Sequence, residues 1–451
     1  MSAKSARRKI WGWFFFDWAS QPYNTLLLTF IFGPYVKEML GSGTEAQAAW
    51  GFGIGAAGVV MALLGPILGA IADTSGTRIR WIWIFSAMYL VGSAGLWFAA
   101  PDNFNLLLTI CLFALGLIGM EFATIFTNAM LPDLGTKEEI GRISGDGWAF
   151  GYLGGLGALV IFLVFFAEGA ETGRTILGLA PAFGLDPEMR EGTRFVGPFT
   201  ALWYLIFMIP FVLFVREPRP VRAAPGAVKA AIIGVGRTIR QLPSQPSLFA
   251  YLASSMFYRD ALNGIWVFGG IYAAGVLGWS VQDTGLFGIT TIVVSALFAW
   301  IGGRVDTAFG SKPVITICIV LLTAVAIGII FVTPTSVFGF AVQEGSSAPT
   351  IAFYCLGAVI GAAAGALQSS SRTMLVHQAD PTRMTEGFGL YALSGKATSF
   401  IAPLSIGIVT SATGSQQLGI TPLVVLFLIG LVLMWWVKPE GHPAYRQVGF
   451  A

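Results

Sequence analysis

Five ionisable residues stand in stretches that are otherwise apolar: Asp17, Glu121, Arg259, Asp260 and Lys396. A charge held at mid-membrane costs about 2.5–3.5 kcal/mol on insertion scales, so each needs a task. After Asp17 come Ser20, Gln21 and Asn24 at i+3, i+4 and i+7, which puts four polar side chains on one helix face. Glu121, Thr124 and Asn128 repeat the pattern at i, i+3 and i+7. Arg259 and Asp260 are adjacent and diverge by about 100°, while Asn263 shares a face with either. Asp260 and Asn263 are expected to face a cavity and Arg259 a carboxylate on a neighbouring helix; the reverse assignment stays open. Lys396, with Ser399 one turn on, suits an acidic partner, a bound anion, or each in turn. Tyr23, Trp18, Trp266 and Tyr391 offer a cavity wall or a cation–π cradle. Three acids and two bases in one belt suit binding of a mixed-charge solute and passage of protons. The competing reading is structural: ion pairs and interhelical hydrogen bonds that hold helices together.

The elements that must position these residues follow from composition. Of 451 residues, 55% are hydrophobic and 11% charged, with a mean hydropathy of +0.75. That is less than half the usual charge of a soluble domain, roughly a quarter of residues, and it excludes soluble enzymes and nucleic-acid binders. Apolar runs of about 20 residues span a bilayer as helices. Twelve are expected: 11–36, 49–72, 81–100, 105–131, 144–167, 198–216, 247–274, 283–304, 313–334, 350–375, 387–411 and 419–437. Alternating segments of a membrane barrel are not seen in the sequence. The connections on one side, with both termini, hold 20 of the 26 Lys and Arg residues, and the opposite side holds four. Both termini are therefore expected in the cytoplasm. Pro22 is expected to kink the first span.

Neither His377 nor His442 falls in a span, so a transmembrane proton must ride on carboxylates. Cys111, Cys318 and Cys355 have no metal-ligand spacing, the Gly-rich runs lack the Lys-Ser/Thr of a phosphate loop, and no cofactor or metal is expected. The halves 1–216 and 247–451, joined by a basic cytoplasmic linker 217–246, read as repeats. Asp17 and Asp260 are 243 residues apart, Asp73 and Asp306 233, and the Gly-rich starts at Gly147 and Gly387 240.

With these residues on the page the sequence resembles the major facilitator superfamily. Gly69…Asp73…Gly76…Arg78 looks like its signature between spans 2 and 3, and Gly302…Asp306…Gly310…Lys312 like the weaker repeat. Thr74 and Thr77 stand where basic residues are usual. The resemblance implies gating roles for Asp73, Arg78, Asp306 and Lys312. A narrower likeness is to the vacuole-effluxer-like branch, named after an autophagy-related amino-acid exporter. It rests on Phe16-Asp-Trp-Ala19 with Tyr23, Gly151-Tyr-Leu-Gly-Gly155, Phe257-Tyr-Arg-Asp-Ala-Leu-Asn263 and Gly389-Leu-Tyr-Ala-Leu-Ser-Gly-Lys-Ala-Thr-Ser-Phe400.

The expectation is an all-α membrane protein: twelve transmembrane helices in two pseudo-symmetric six-helix halves of the major-facilitator type. It would be a monomer in a bacterial inner membrane, without nucleic-acid partners. The expected function is secondary transport of a small amino-acid-like zwitterion at a midplane site, by alternating access and driven by protons, with sodium as the alternative ion. The expected substrate-binding residues are Asp17, Gln21, Tyr23, Asn24, Glu121, Asn128, Asn263, Trp266, Tyr391 and Lys396, with proton coupling through Asp17, Glu121 or Asp260. Rival readings are export or flipping of larger amphiphiles such as a drug or lysolipid, and a non-transporting receptor. The external connection 168–197 carries no readable role.

Overall fold

The computed structural model describes residues 3–40, 57–61, 63–73, 78–136, 138–169, 172–217, 227–277, 279, 281–343 and 345–441. Among them eight helices are long and apolar enough to cross a bilayer. These are α4 (Arg78–Gly95), α5 (Leu106–Asn128), α6 (Ile140–Phe165), α7 (Glu191–Phe214), α10 (Val281–Phe309), α11 (Ser311–Ile330), α12 (Ala348–Gln378) and α15 (Gln416–Met434). The remaining expected spans take other forms. Span 1 is α1 (Ala3–Pro22) continued by a π-helix, Tyr23–Phe30, before the short α2 (Phe32–Leu40). Span 2 lies partly outside the described residues and continues as α3 (Ala57–Asp73). Span 7 is α9 (Pro246–Val276), one continuous helix of 31 residues that carries Arg259 and Asp260. Span 11 is two helices, α13 (Met384–Ala397) and α14 (Ile401–Thr413). The linker carries α8 (Ala227–Gln241).

Both irregular spans follow from proline. Pro22 has no N–H to give the carbonyl of Trp18, so the α ladder fails there and the chain widens into i→i+5 bonding. The freed Trp18 carbonyl accepts the Trp203 indole N–H at 3.2 Å. Pro403 likewise cannot donate to Ser399, and span 11 breaks over residues 398–400. One feature lies outside the all-α expectation. Between α11 and α12, Val332–Thr333, Ser336–Val337 and Phe340–Ala341 form a small antiparallel meander, β1–β2–β3. Its second turn holds Phe338 and Gly339 at φ 51° and 87°, the mirror-image turn that matches strand twist.

The chain divides into two compact units, Met1–Leu64 with Ala72–Asn128 and Phe150–Ala224, and Gly65–Ile71 with Ala129–Ala149 and Pro225–Ala451. In the first, α4 packs on α5 and α7, and α1 on α7. Trp13 Nε1 donates to the Thr127 carbonyl at 2.8 Å and the Tyr23 hydroxyl to that of Phe113 at 2.5 Å, fastening α1 to α5. Gly154 brings α6 onto α1: a Cβ there would lie 2.7 Å from Trp18 O and 2.9 Å from Trp18 Cα. In the second unit α12 packs on α10 and α11, and α9 on α13, α14 and α15. Val235 of α8 is buried on Ala70.

The connection after α6 is tied down by a buried carboxylate. Glu168 Oε1 accepts the Thr193 N–H at 3.2 Å, its hydroxyl at 2.9 Å and Arg190 Nη1 at 3.2 Å. Arg190 also reaches Glu38 of α2 at 2.8 Å. Burial outweighs these partners and raises the Glu168 carboxyl above its ordinary value.

Two outcomes follow. Gly154→Leu forces a side chain into the α1 backbone and destabilises the protein by about 1–3 kcal/mol. Gly157→Ala, where the nearest atom to a Cβ is Trp203 Cη2 at 3.9 Å, does not lower the thermal midpoint, because the added methyl meets no clash and Ala favours the helix. Equal midpoints for the two variants in a thermal melt contradict this packing. For Glu168 the folded state favours the neutral form, so stability is lost as pH rises above the ordinary carboxylate range. The midpoint of the wild type relative to Glu168→Gln should therefore fall between acid and neutral pH; a constant difference refutes the burial argument.

Candidate functional site

The sequence motif in α9 and the long motif in span 11 meet inside the second unit. Arg259 lies over the Tyr391 ring, its Cζ 4.2 Å from the centroid, and donates Nη1–H to the Tyr391 carbonyl at 2.9 Å. Such a stacked guanidinium is worth about 0.5–2 kcal/mol. Gly395, one turn beyond, makes the room: a Cβ there would lie 2.5 Å from Arg259 Nη1 and 2.6 Å from Cζ. Asp260 turns the other way and accepts the Ala402 N–H at the start of α14, at 2.9 Å. Tyr251 and Tyr258 support α9 from α12, their hydroxyls meeting the Ser371 carbonyl at 2.5 Å and its hydroxyl at 2.8 Å. The result is a cation and a carboxylate on consecutive residues, each held by span 11 on opposite sides of its break.

This placement corrects one expectation. Asp260 is buried in the packing against α14, 1% exposed, whereas Asn263, one turn on, is exposed, so the two do not face one cavity together. The guanidinium of Arg259 is seated on the carbonyl and ring of Tyr391. Trp266 is exposed on α9 and Tyr391 half-buried. Lys396 lies in α13, with its side chain outside the described residues.

In the first unit, Asp17, Gln21 and Asn24 are half-buried along α1, and Glu121 and Asn128 half-buried on α5. Asp17 and Gln21 border the Gly-rich face of α6: a Cβ at Gly151 would stand 3.1 Å from Asp17 Cβ, and one at Gly155 2.8 Å from Gln21 Cγ. Tyr23 is placed differently from expectation. It is 0% exposed and locked by its hydroxyl to Phe113, within van der Waals packing rather than on an open wall.

The expected gating residues take local partners. Arg78 pairs with Glu217, Nε to Oε1 at 3.1 Å, and Glu217 Oε2 also accepts the Ile79 N–H at 2.9 Å. Asp306 is buried and accepts the Ser311 hydroxyl at 2.8 Å, and Lys312 donates to the Val437 carbonyl at 2.7 Å. Asp73 ends α3, half-buried. Sequence reasoning missed a further network in the second unit. Arg372 of α12, 3% exposed, donates to the Ser144 hydroxyl at 3.0 Å and carbonyl at 2.7 Å, while Ser144 donates to Ser369 O at 2.8 Å. Arg304 of α10 bonds Asp146 at 2.7 Å. The signal was present: Arg304 and Arg372 are charged residues in the last turns of the expected spans 283–304 and 350–375.

Residues 45–442 match the family model described as "Vacuole effluxer Atg22 like". The chain belongs to that family. It is 25% identical to the uncharacterised MFS-type transporter YxiO of Bacillus subtilis, over 95% of this chain and 94% of that protein. It is 24% identical to autophagy-related protein 22 of Cryptococcus neoformans over 66% of this chain, but spans about half of the fungal protein, 50%. Among solved structures it is similar to the proton:xylose symporter XylE (TM-score 0.65, 13% identity, 97% of both chains) and the human organic anion transporter MFSD10 (TM-score 0.67, 15% identity, 95% and 99%). A bacterial homologue of the iron transporter ferroportin is similar too (TM-score 0.66, 14% identity, 96% and 99%). At these identities the likeness is one of fold. The chain is thus a multi-pass membrane transporter of the major facilitator type.

The packing of Arg259 against Gly395 predicts a coupling between them. Gly395→Ala destabilises the protein with Arg259 present and is near neutral in an Arg259→Ala background, an interaction energy of about 1 kcal/mol. Thermal midpoints of the four proteins measure it, and additive effects would rule out the close contact.

Proposed function

We propose that this transporter is a secondary active one that carries a small amino-acid-like zwitterion by alternating access, with protons as the driving ion. It has twelve transmembrane helices in two six-helix halves and both termini in the cytoplasm of a bacterium. The observation that carries the substrate class is the Arg259–Asp260 pair, opposite charges on neighbouring residues, held apart by Tyr391 and Ala402 across the break in span 11. A guanidinium suits a substrate carboxylate, which its planar fork can meet with two parallel N–H donors. Lys396, in the same motif, is the second cation assigned to that carboxylate. Asp17, Gln21, Asn24 and Glu121 of the first unit supply acceptors suited to an ammonium group. Proton coupling is assigned to Asp17, Glu121 or Asp260, because both histidines lie beyond the expected spans. The family's description as an effluxer supports movement of solute out of the compartment that holds it. The asymmetry of 20 against four basic residues supports the orientation.

Proteoliposomes with a trapped pH dye test this reading, amino acids and amphiphiles being added singly. A pH change with amino acids is expected. A response to amphiphiles alone transfers the assignment to drug or lysolipid export. Ligand-dependent thermal stabilisation with a silent dye overturns proton coupling and points to sodium or a receptor. In the same vesicles, amide variants of Glu121 and Asp260 should each lose uphill accumulation; if both still concentrate substrate, neither carries the proton.

A further inference from the structure

Where span 11 breaks, every backbone donor in the first turn of α14 is accounted for, and one of them depends on another helix. The Ile401 N–H reaches Thr398 O at 2.8 Å and the Leu404 N–H Phe400 O at 3.0 Å, while Pro403 has none. Only the Ala402 N–H leaves the segment, to Asp260 Oδ2. No side chain of its own segment caps this end. The other carboxylate oxygen, Oδ1, is buried and has no hydrogen-bond partner among the described residues.

The described charged groups nearby are engaged elsewhere, and the side chain of Lys396 on α13 lies outside the described residues. α14 and α15 carry no ionisable side chain. On α13, Glu386 pairs with Arg383; on α12, Arg372 is bound by Ser144 and His377 lies in the last turn. Arg259, on the same helix as Asp260, is held by Tyr391. Among the described residues, the charge of Asp260 is met by one N–H and the positive end of α14.

We infer that Asp260 is the positioning residue that turns proton binding into movement of the broken span, by capping α14 when ionised and loosening it when protonated. The inference rests on the proton-driven reading above and gives it a structural step. Oδ1 takes up one proton and becomes the hydroxyl of a neutral acid. The bond from Ala402 to Oδ2 then loses its charge assistance, roughly half its strength, together with the attraction between carboxylate and helix dipole. The segment released includes Ser399 and Phe400, both exposed, and it joins α14 to the part of α13 on which Arg259 rests. A proton at Asp260 thus reaches the Arg259 seat through the backbone of span 11.

Hydrogen exchange of the Ala402 amide in the full-length protein in lipid nanodiscs tests this between pH 5 and 8, after correction for the intrinsic exchange rate. In the wild type, protection should fall roughly fivefold on acidification, the equivalent of a typical helix cap. Asp260→Asn keeps an acceptor oxygen but cannot titrate, so its protection should show no pH step. Asp260→Ala should be poorly protected throughout; if it fails to fold, the Asn variant alone decides. A wild-type amide indifferent to pH, or a step that survives in Asp260→Asn, overturns the inference. A pH step at Ala402 without proton movement in the dye experiment leaves the cap standing and removes the proton-driven reading. Proton movement without the step does the reverse.

Discussion

A backbone N–H or C=O within a bilayer must find its partner inside the protein, since the hydrocarbon offers none. The structure meets this rule with uninterrupted ladders in α4, α5, α11 and α12, and Pro22 and Pro403 mark two of its departures. At these two another helix supplies the missing partner. The Trp203 indole takes the Trp18 carbonyl, and the Asp260 carboxylate takes the Ala402 N–H. The first repair is neutral and fixed. The second uses the only kind of group there whose hydrogen bonding changes with a proton, and its position beside Arg259 joins the architecture to the chemistry.

The buried Arg372 obeys the same economy of partners. A guanidinium taken out of water costs several kcal/mol unless its donors are matched. Part of the match is the hydroxyl and carbonyl of Ser144, with the Trp148 ring 5.6 Å from Cζ. Ser144 and Trp148 lie in the stretch Ala129–Ala149, which the second unit gathers from the first half of the sequence. The close approach of Gly145 to Gly303, where a Cβ would lie 2.6 Å from the opposing Cα, lets α6 and α10 meet there.

Much of this was legible in the sequence because membrane helices are written in long apolar runs that few other folds produce. The polar stripe of α1 and the kink at Pro22 were signalled by residue type and spacing, whereas the meeting of the span 7 and span 11 motifs was not. What was not legible depended on side-chain direction. Spacing alone left Arg259 and Asp260 interchangeable, and only the positions of Tyr391 and Ala402 separate them. Tyr23 carried an aromatic signal that suits a cavity wall and a packed core equally. The break in span 11 was masked by its hydropathy, which runs on through residues 398–400 although Pro403 had announced it. The small sheet at 332–341 was hidden in a connection too short to show a pattern.

The π-helix after Pro22 has a geometric consequence for the first span. Bonding from i to i+5, as between Leu26 O and the Ile31 N–H at 3.0 Å, takes one more residue per turn than an α-helix does. Over Tyr23–Phe30 the chain therefore holds an extra residue without a bulging loop, as though an insertion had been absorbed into the coil. The two parts of the span consequently keep different rotational registers. The part before Pro22 sets Asp17 and Gln21 against the glycines of α6, while the part after it sets Tyr23 against α5. Removing one residue from this segment would restore a single register by turning one contact face about 100° away from its partner. The widened coil is what allows one span to satisfy two neighbours at once.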